Sequence, residues 1–231
     1  MKKTVIIQGL PKIGGCNYIA TKSRKYSVPY GDKNVFVSDP LAIGNTKLGS
    51  NIAIFNLLAV HSCLNCRDCA KNCYALKSQR QYPSVFDKRA IYTHLARNHV
   101  NILFELLDNN INRLLGKIKY VRIHESGDFL SQEYIDLWGR LIKKYPSIVF
   151  YTYSKVDKIF DFSGLKSLPN FNLVNSVLPD GSINFGNEAY CTEKATKFNC
   201  IICPNRKGNR VHCGTECTVC MHNSNVVFLQ H

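Results

Sequence analysis

The stretch YVRIHESGDFLSQEYIDLWGRLIKKYPSIVFYTY, residues 120–153, decides the fold. Tyr120–Ile123, with Tyr120, Val121 and Ile123, reads as a short strand. Ser131 is a helix-capping residue ahead of an apolar face made by Ile135, Trp138, Leu141 and Ile142. Tyr145-Pro146 ends that helix, and Ile148–Tyr153 is again rich in β-branched and aromatic residues. Strand, helix, strand in this rhythm is the signature of a parallel sheet with crossover helices.

The same alternation extends outward. Asn51–Leu58 reads as an earlier strand, with Ile52, Ile54 and Phe55 apolar. Between it and Tyr120 lies helical patterning: Val85, Ile91, Leu95 and Ala96, then the stripe Val100, Leu103, Phe104, Leu107, Ile111, Leu114 and Leu115, stopped by Gly116. Val156–Leu168 is more weakly helical, and Asn172–Val177 is a further strand. Val35–Val37 and Val226–Leu229 read as short outlying strands. The expected fold is α/β, its parallel sheet forming a partial (β/α) barrel. Residues 1–50 are expected as an irregular basic N-terminal arm, 51–189 as the barrel and 190–231 as a small cysteine-rich, metal-binding appendage.

Composition sets the class. The chain has 231 residues, 45% of them hydrophobic, so a packed core is expected. No apolar run approaches the ~20 residues of a membrane span, and a soluble, cytoplasmic protein is expected. Eleven cysteines are present, and ten fall in two tight groups. Thiols grouped on short loops in a reducing compartment point to metal rather than disulfides. Cys16 stands alone and reads as a structural thiol.

The first group, Cys63, Cys66, Cys69 and Cys73, has the spacing C-x2-C-x2-C-x3-C. Two-residue gaps let a tight loop wrap one cuboidal cluster, which is the bacterial ferredoxin spacing. A [4Fe–4S] cluster is expected, with Cys73 as its fourth ligand or directed elsewhere; structural zinc is the rival. His61 reads as a loop histidine beside it. The second group holds Cys191, Cys200, Cys203, Cys213, Cys217 and Cys220, with His212 and His222 nearby. Its two C-x2-C pairs, Cys200/Cys203 and Cys217/Cys220, suit a zinc ribbon, and the run Cys213–Cys217–Cys220 suits a second iron–sulfur cluster.

His124-Glu125-Ser126-Gly127-Asp128-Phe129 follows a strand at its carboxyl end, where α/β folds place ligands. His124, Asp128 and Lys155 are the candidate catalytic residues. Ser126, Gly127, Asp128 and Asn175 are the candidates for binding a cofactor, ringing the same mouth with Tyr151, Tyr153, Ser154 and Ser176.

A cysteine loop after a first strand and a Gly-containing turn after the second resemble the layout of the radical S-adenosylmethionine (SAM) superfamily. That resemblance implies a radical-SAM-like fold, SAM as a cofactor, and Ser126-Gly127-Asp128-Phe129 in the place of the SAM-binding turn, with Asp128 on a SAM or substrate amine. The superfamily's C-x3-C-x2-C spacing is met here only by Cys213, Cys217 and Cys220, beyond the strands. More closely, the sequence resembles a phage and mobile-element family of cysteine-rich proteins, the phage gene product 88 family. Gly44-Asn45-Thr46-Lys47-Leu48-Gly49, Cys73-Tyr74-Ala75, the His124–Phe129 turn and the terminal Cys-x2-Cys elements carry that resemblance.

Three functions are weighed. One is a [4Fe–4S]-dependent, radical-SAM-like enzyme acting on an unknown small-molecule or macromolecular substrate. The second is a nucleic-acid-binding protein with structural zinc or iron–sulfur sites. The formal charge of +14 supports it, as do Lys2, Lys3, Lys12, Lys22, Arg24, Lys25 and Lys33 interleaved with Tyr18, Tyr26 and Tyr30. The third is an electron-transfer protein relaying between two clusters. A redox role implies an electron donor; no membrane partner is expected.

Overall fold

The computed structural model describes residues 26–70, 73–182, 184–205 and 210–229. Its elements run β1 (Tyr26–Tyr30), β2 (Lys33–Val37), β3 (Ala42–Ile43), β4 (Ile52–Phe55), α1 (Tyr74–Gln81), α2 (Pro83–Asn98), α3 (Val100–Leu114), β5 (Tyr120–Ile123), α4 (Gln132–Lys144), β6 (Val149–Ser154), α5 (Ser163–Lys166), β7 (Phe171–Asn175), β8 (Phe185–Gly186), α6 (Glu188–Phe198), β9 (Ile201–Ile202), α7 (Val219–His222) and β10 (Val226–Leu229). A 3-10 turn at Arg67–Ala70 lies in the first cysteine loop.

The central sheet has five strands in the order β3-β4-β5-β6-β7. β4 to β7 are mutually parallel, and β3 pairs antiparallel with β4. Sequential parallel strands keep their crossovers on one face. There α2, α3 and α4 bury Leu95, Leu103, Leu107, Tyr134 and Trp138 against Phe55, Val121, Ile123 and Phe150. β4 is buried along its whole length, because the sheet is covered on both sides.

β3 and β7 are open edges, and the face between them is covered by the C-terminal segment. Leu48, Ile52, Ile54, Tyr151 and Met221 pack there, flanked by Cys213 and Cys220. Among the described residues the fold is a mixed α/β arrangement around an open, mostly parallel sheet, with no closed barrel. The cysteine-rich segment is built into it. Gly49 N–H donates to the Cys213 carbonyl (2.8 Å), Cys213 N–H to that of Lys47 (3.1 Å), and the Asn51 amide to that of Gly214 (2.7 Å).

Local chemistry accounts for the helices. Ser131 caps α4, accepting from Tyr134 N–H at 3.2 Å. Gly116, at φ +76°, turns the chain after α3. The weakly helical Val156–Leu168 shrinks to the single turn α5. Within the tail, α6 is capped by Asn187, which accepts from Tyr190 N–H, and it ends at left-handed Asn199. The tail's little sheet, β8-β10-β9, is parallel.

Residues 26–37 form a hairpin, where the sequence suggests an irregular arm. Val28, Tyr30, Val35 and Val37 join the main core, and Tyr30 sits 4.6 Å from the His94 ring. Tyr30 is thus removed from any base-stacking role. Residues 1–25, with Cys16, Tyr18 and most of the arm's basic residues, lie outside the described residues.

Candidate metal centre

The first cysteine loop leaves β4 at Asn56 and is fixed before its first thiol. Leu57 N–H donates to the Ser126 carbonyl (2.9 Å), and Ser126 N–H donates to Asn56 Oδ1 (2.8 Å). Leu58 N–H is taken by Thr93 Oγ1 on α2 (2.8 Å), and Ala59 N–H by Gln79 Oε1 on α1 (3.0 Å). Gly127 makes this approach possible: at φ +91°, a Cβ there would lie 2.5 Å from Ser62 Oγ and 2.7 Å from Leu57 Cβ. Further on, the Asn65 amide donates to the Lys155 carbonyl (2.8 Å).

This anchoring gathers thiols. Cys63, Cys66 and Cys73 are half-buried, and Cys69 is exposed. Burial pushes the Cys63 thiol up to about 12, and the nearby Asp128, Cys66 and Cys73 act the same way. Burial also raises Cys66, assisted by Cys69 and Cys73, while Lys155 opposes it. The four sulfurs therefore share one electrostatic neighbourhood. Charge is costly for Cys63 and Cys66 until a cation arrives to bind the thiolates. Cys73 stands directly before α1, whose amino-terminal dipole favours negative charge.

The second group divides. Cys203, Cys213, Cys217 and Cys220 interact with one another. Burial raises each of Cys203, Cys213 and Cys220, the last to about 11, and neighbouring cysteines of the set add to each rise. Cys191 and Cys200 lie elsewhere. Cys191 is fully buried with Leu178, Val227 and Leu229, and its thiol faces the Phe228 carbonyl at 3.3 Å. Cys200 packs beside that same small core, whereas Cys203 packs with Val174 and Val226. The reason is β9. Side chains three apart along an extended strand point to opposite faces, so Cys200-Ile201-Ile202-Cys203 cannot act as a zinc-ribbon knuckle.

As the side chains stand, no three His, Cys, Asp or Glu among the described residues are arranged around a single ion. Both sets nevertheless line one cavity of about 2080 Å³, with Arg122, Tyr151 and Tyr153 among its walls. These three come from the sheet's second face, where Ile54, Arg122, Tyr151 and Asn172 stand in register across four strands.

The turn residues are spent largely on the fold. The Asp128 carboxylate accepts from Phe129 N–H (2.9 Å), Ser154 Oγ (2.8 Å) and Lys155 N–H (3.0 Å). It straps β6 to the turn, which leaves it poorly suited to receive a SAM amine. The Ser126 hydroxyl donates to the Leu57 carbonyl (2.9 Å). His124, at φ +60°, turns into the helix-side core. It is stacked on Tyr134, with Nε2 2.9 Å from that hydroxyl, and burial drops its pKa to about 3. A neutral, buried imidazole there supports the turn. The positive charge of Lys155 favours the Cys66 thiolate. Asn175 pairs with Ser154 through the backbone, and its side chain lies outside the described residues.

Asp87 on α2 lines the same cavity and was not singled out by the sequence. It is 5% exposed, and neither carboxylate oxygen has a hydrogen-bond partner among the described residues. Burial pushes its pKa from 3.8 up to about 8. Between those values the folded chain holds a proton that the unfolded chain has released, so this group subtracts stability as pH rises through that window. Asp87→Asn is expected to raise the denaturation midpoint more at about pH 8 than at about pH 5. Equal gains at both, measured by chemical denaturation, would contradict this environment.

A family model described as Gene product 88 matches residues 35–228. The Gene 88 protein of Mycobacterium phage D29 is 29% identical over 119 residues, 48% of this chain and 50% of that protein. The Gene 88 protein of Mycobacterium phage L5 is 30% identical over 119 residues with the same coverage. The chain spans about half the length of the curated relatives it matches. No solved structure matches it.

Proposed function

The chain belongs to the gene product 88 family, shared with mycobacteriophage proteins, and for this member we propose an iron–sulfur protein with two centres opening on one cavity. The supporting observation is that two separate sets of four cysteines converge there. Cys63, Cys66, Cys69 and Cys73 would hold a [4Fe–4S] cluster at the carboxyl mouth of the parallel strands. Cys203, Cys213, Cys217 and Cys220 would hold a second centre on the sheet's other face. Soft thiolate donors fit iron–sulfur clusters and zinc, and disfavour hard cations.

A bound cluster supplies one-electron chemistry, or an open iron for a ligand. The protein's own residues supply the rest. The Leu57–Ser62 strap fixes the first loop, Lys155 lends positive charge near Cys66, and Tyr153 packs in the same cluster as Cys220. The cavity exceeds the roughly 300–1,000 Å³ of an ordinary ligand pocket, leaving room for a small-molecule substrate beside the centres. Such chemistry calls for an external one-electron donor.

The test is anaerobic purification of the full chain followed by iron, sulfide and zinc analysis. Iron with matching sulfide at the first set supports the proposal, and zinc at the second set restricts the redox role to the first. A folded chain holding neither metal under strict exclusion of oxygen refutes it.

A further inference from the structure

One residue of the turn after β5 holds the first cysteine loop at two points. Asp128 N–H donates to the carbonyl of Ser62, directly before Cys63, at 3.2 Å. The second point is reached through the end of β6. Asp128 Oδ2 accepts from Lys155 N–H at 3.0 Å, which orients the peptide before Lys155. Asp128 Oδ1 accepts from Ser154 Oγ at 2.8 Å, and that hydroxyl accepts from Val156 N–H at 3.1 Å, which orients the peptide after it. The Lys155 carbonyl, on that second peptide, accepts from the Asn65 side chain at 2.8 Å. Asn65 stands between Cys63 and Cys66. Asp128 is buried, so water competes little for these bonds.

We propose that Asp128 is a positioning residue for the first metal centre, setting Cys63 and Cys66 in place through the Lys155 backbone and the Asn65 amide. The proposal rests on the two-centre reading above. A tetrahedral ion or a cuboidal cluster takes its sulfurs only at fixed separations. A loop anchored before its first thiol, and again between its first and second, has less conformational freedom to lose when metal binds. The negative charge of Asp128 acts in the opposite sense, because it disfavours the Cys63 thiolate. The two roles therefore predict opposite signs for a neutral variant: lost positioning weakens metal retention, and lost repulsion strengthens it.

The test uses anaerobically purified full chains in two backgrounds. Cys217→Ser with Cys220→Ser leaves only the first set able to bind metal, and Cys63→Ser with Cys66→Ser leaves only the second. In each, bound iron and zinc are followed during a chelator challenge. Asp128→Asn leaves one acceptor oxygen where there were two, so either Lys155 N–H or Phe129 N–H faces an amide NH2. It is expected to weaken retention at the first set about 10- to 100-fold, the range for losing a group that supports metal ligands, with the second set unchanged. Asn65→Ala leaves the turn intact and does not depend on Asp128→Asn folding. It is expected to weaken the first set about 3- to 10-fold, the worth of one hydrogen bond. The double variant is expected to match Asp128→Asn alone, because both residues act along one path. Tighter or unchanged retention at the first set in Asp128→Asn, an equal loss at both sets, wild-type retention in Asn65→Ala, or additive losses in the double variant overturns the positioning role. A wild-type chain that binds no metal removes the two-centre reading instead.

Discussion

Serine at Cys203 and Cys220 together is expected to abolish metal binding at the centre proposed for the second face and to loosen the segment folded around it. Both thiols are directed toward the sheet, Cys203 from beside β9 and Cys220 from α7. Thiolate-bound structural metal contributes on the order of 10 kcal/mol of apparent folding free energy in small zinc domains. Part of that would be lost here, because Val226, Val227 and Met221 also hold the segment through apolar packing. The expected result is loss of one centre's metal and faster amide exchange in β9 and β10, with β4 to β6 still protected. Cys200→Ser is the contrast. Its sulfur lies on the other side of the strand, and its removal leaves the metal content unchanged. Equal metal loss from Cys200→Ser and Cys203→Ser would overturn the assignment.

Gly127→Ala has the second large effect, through two separate costs. A non-glycine residue at φ +91° is strained, and the added methyl meets Ser62 Oγ and Leu57 Cβ well inside contact distance. Backbone strain and overpacking each cost about 1–3 kcal/mol, so a loss of about 2–6 kcal/mol is expected in denaturant unfolding. The metal consequence is local. Ser62 precedes Cys63, so under the two-centre proposal the first centre is expected to lose its metal and the second to keep it. Gly31→Ala is the control: its φ is +56° but nothing lies within 4 Å of the added carbon, and only the strain, about 1 kcal/mol, is expected. Equal losses from the two variants would contradict the clamp between turn and loop.

Much of the fold was legible because each central element declares its own period. The β-branched strands, the stripe of α3 and the Ser131 cap are local signals, and the structure places elements where they fall. The first cysteine loop was legible for the same reason. What stayed hidden depends on contacts remote in sequence. Arg122 reads as an ordinary strand residue until the segment carrying Cys213 and Cys220, some ninety positions later, covers its face. Cys200 and Cys203 look like a metal knuckle unless it is known that β10 pairs with the residues between them and draws them straight. His124 and Asp128 have the composition of a reactive site, and only their hydrogen bonds show that they brace the turn. Asp87 gave no motif at all; its interest comes from burial without a partner.

The junction of residues 47–51 with 213–214 has a consequence for biosynthesis. Ile52, Ile54 and Tyr151 emerge from the ribosome long before the segment that shelters them. Until that segment arrives, the nascent sheet presents an apolar, aromatic surface to the surrounding medium. The second set of thiols is thus among the last parts of the fold to be made.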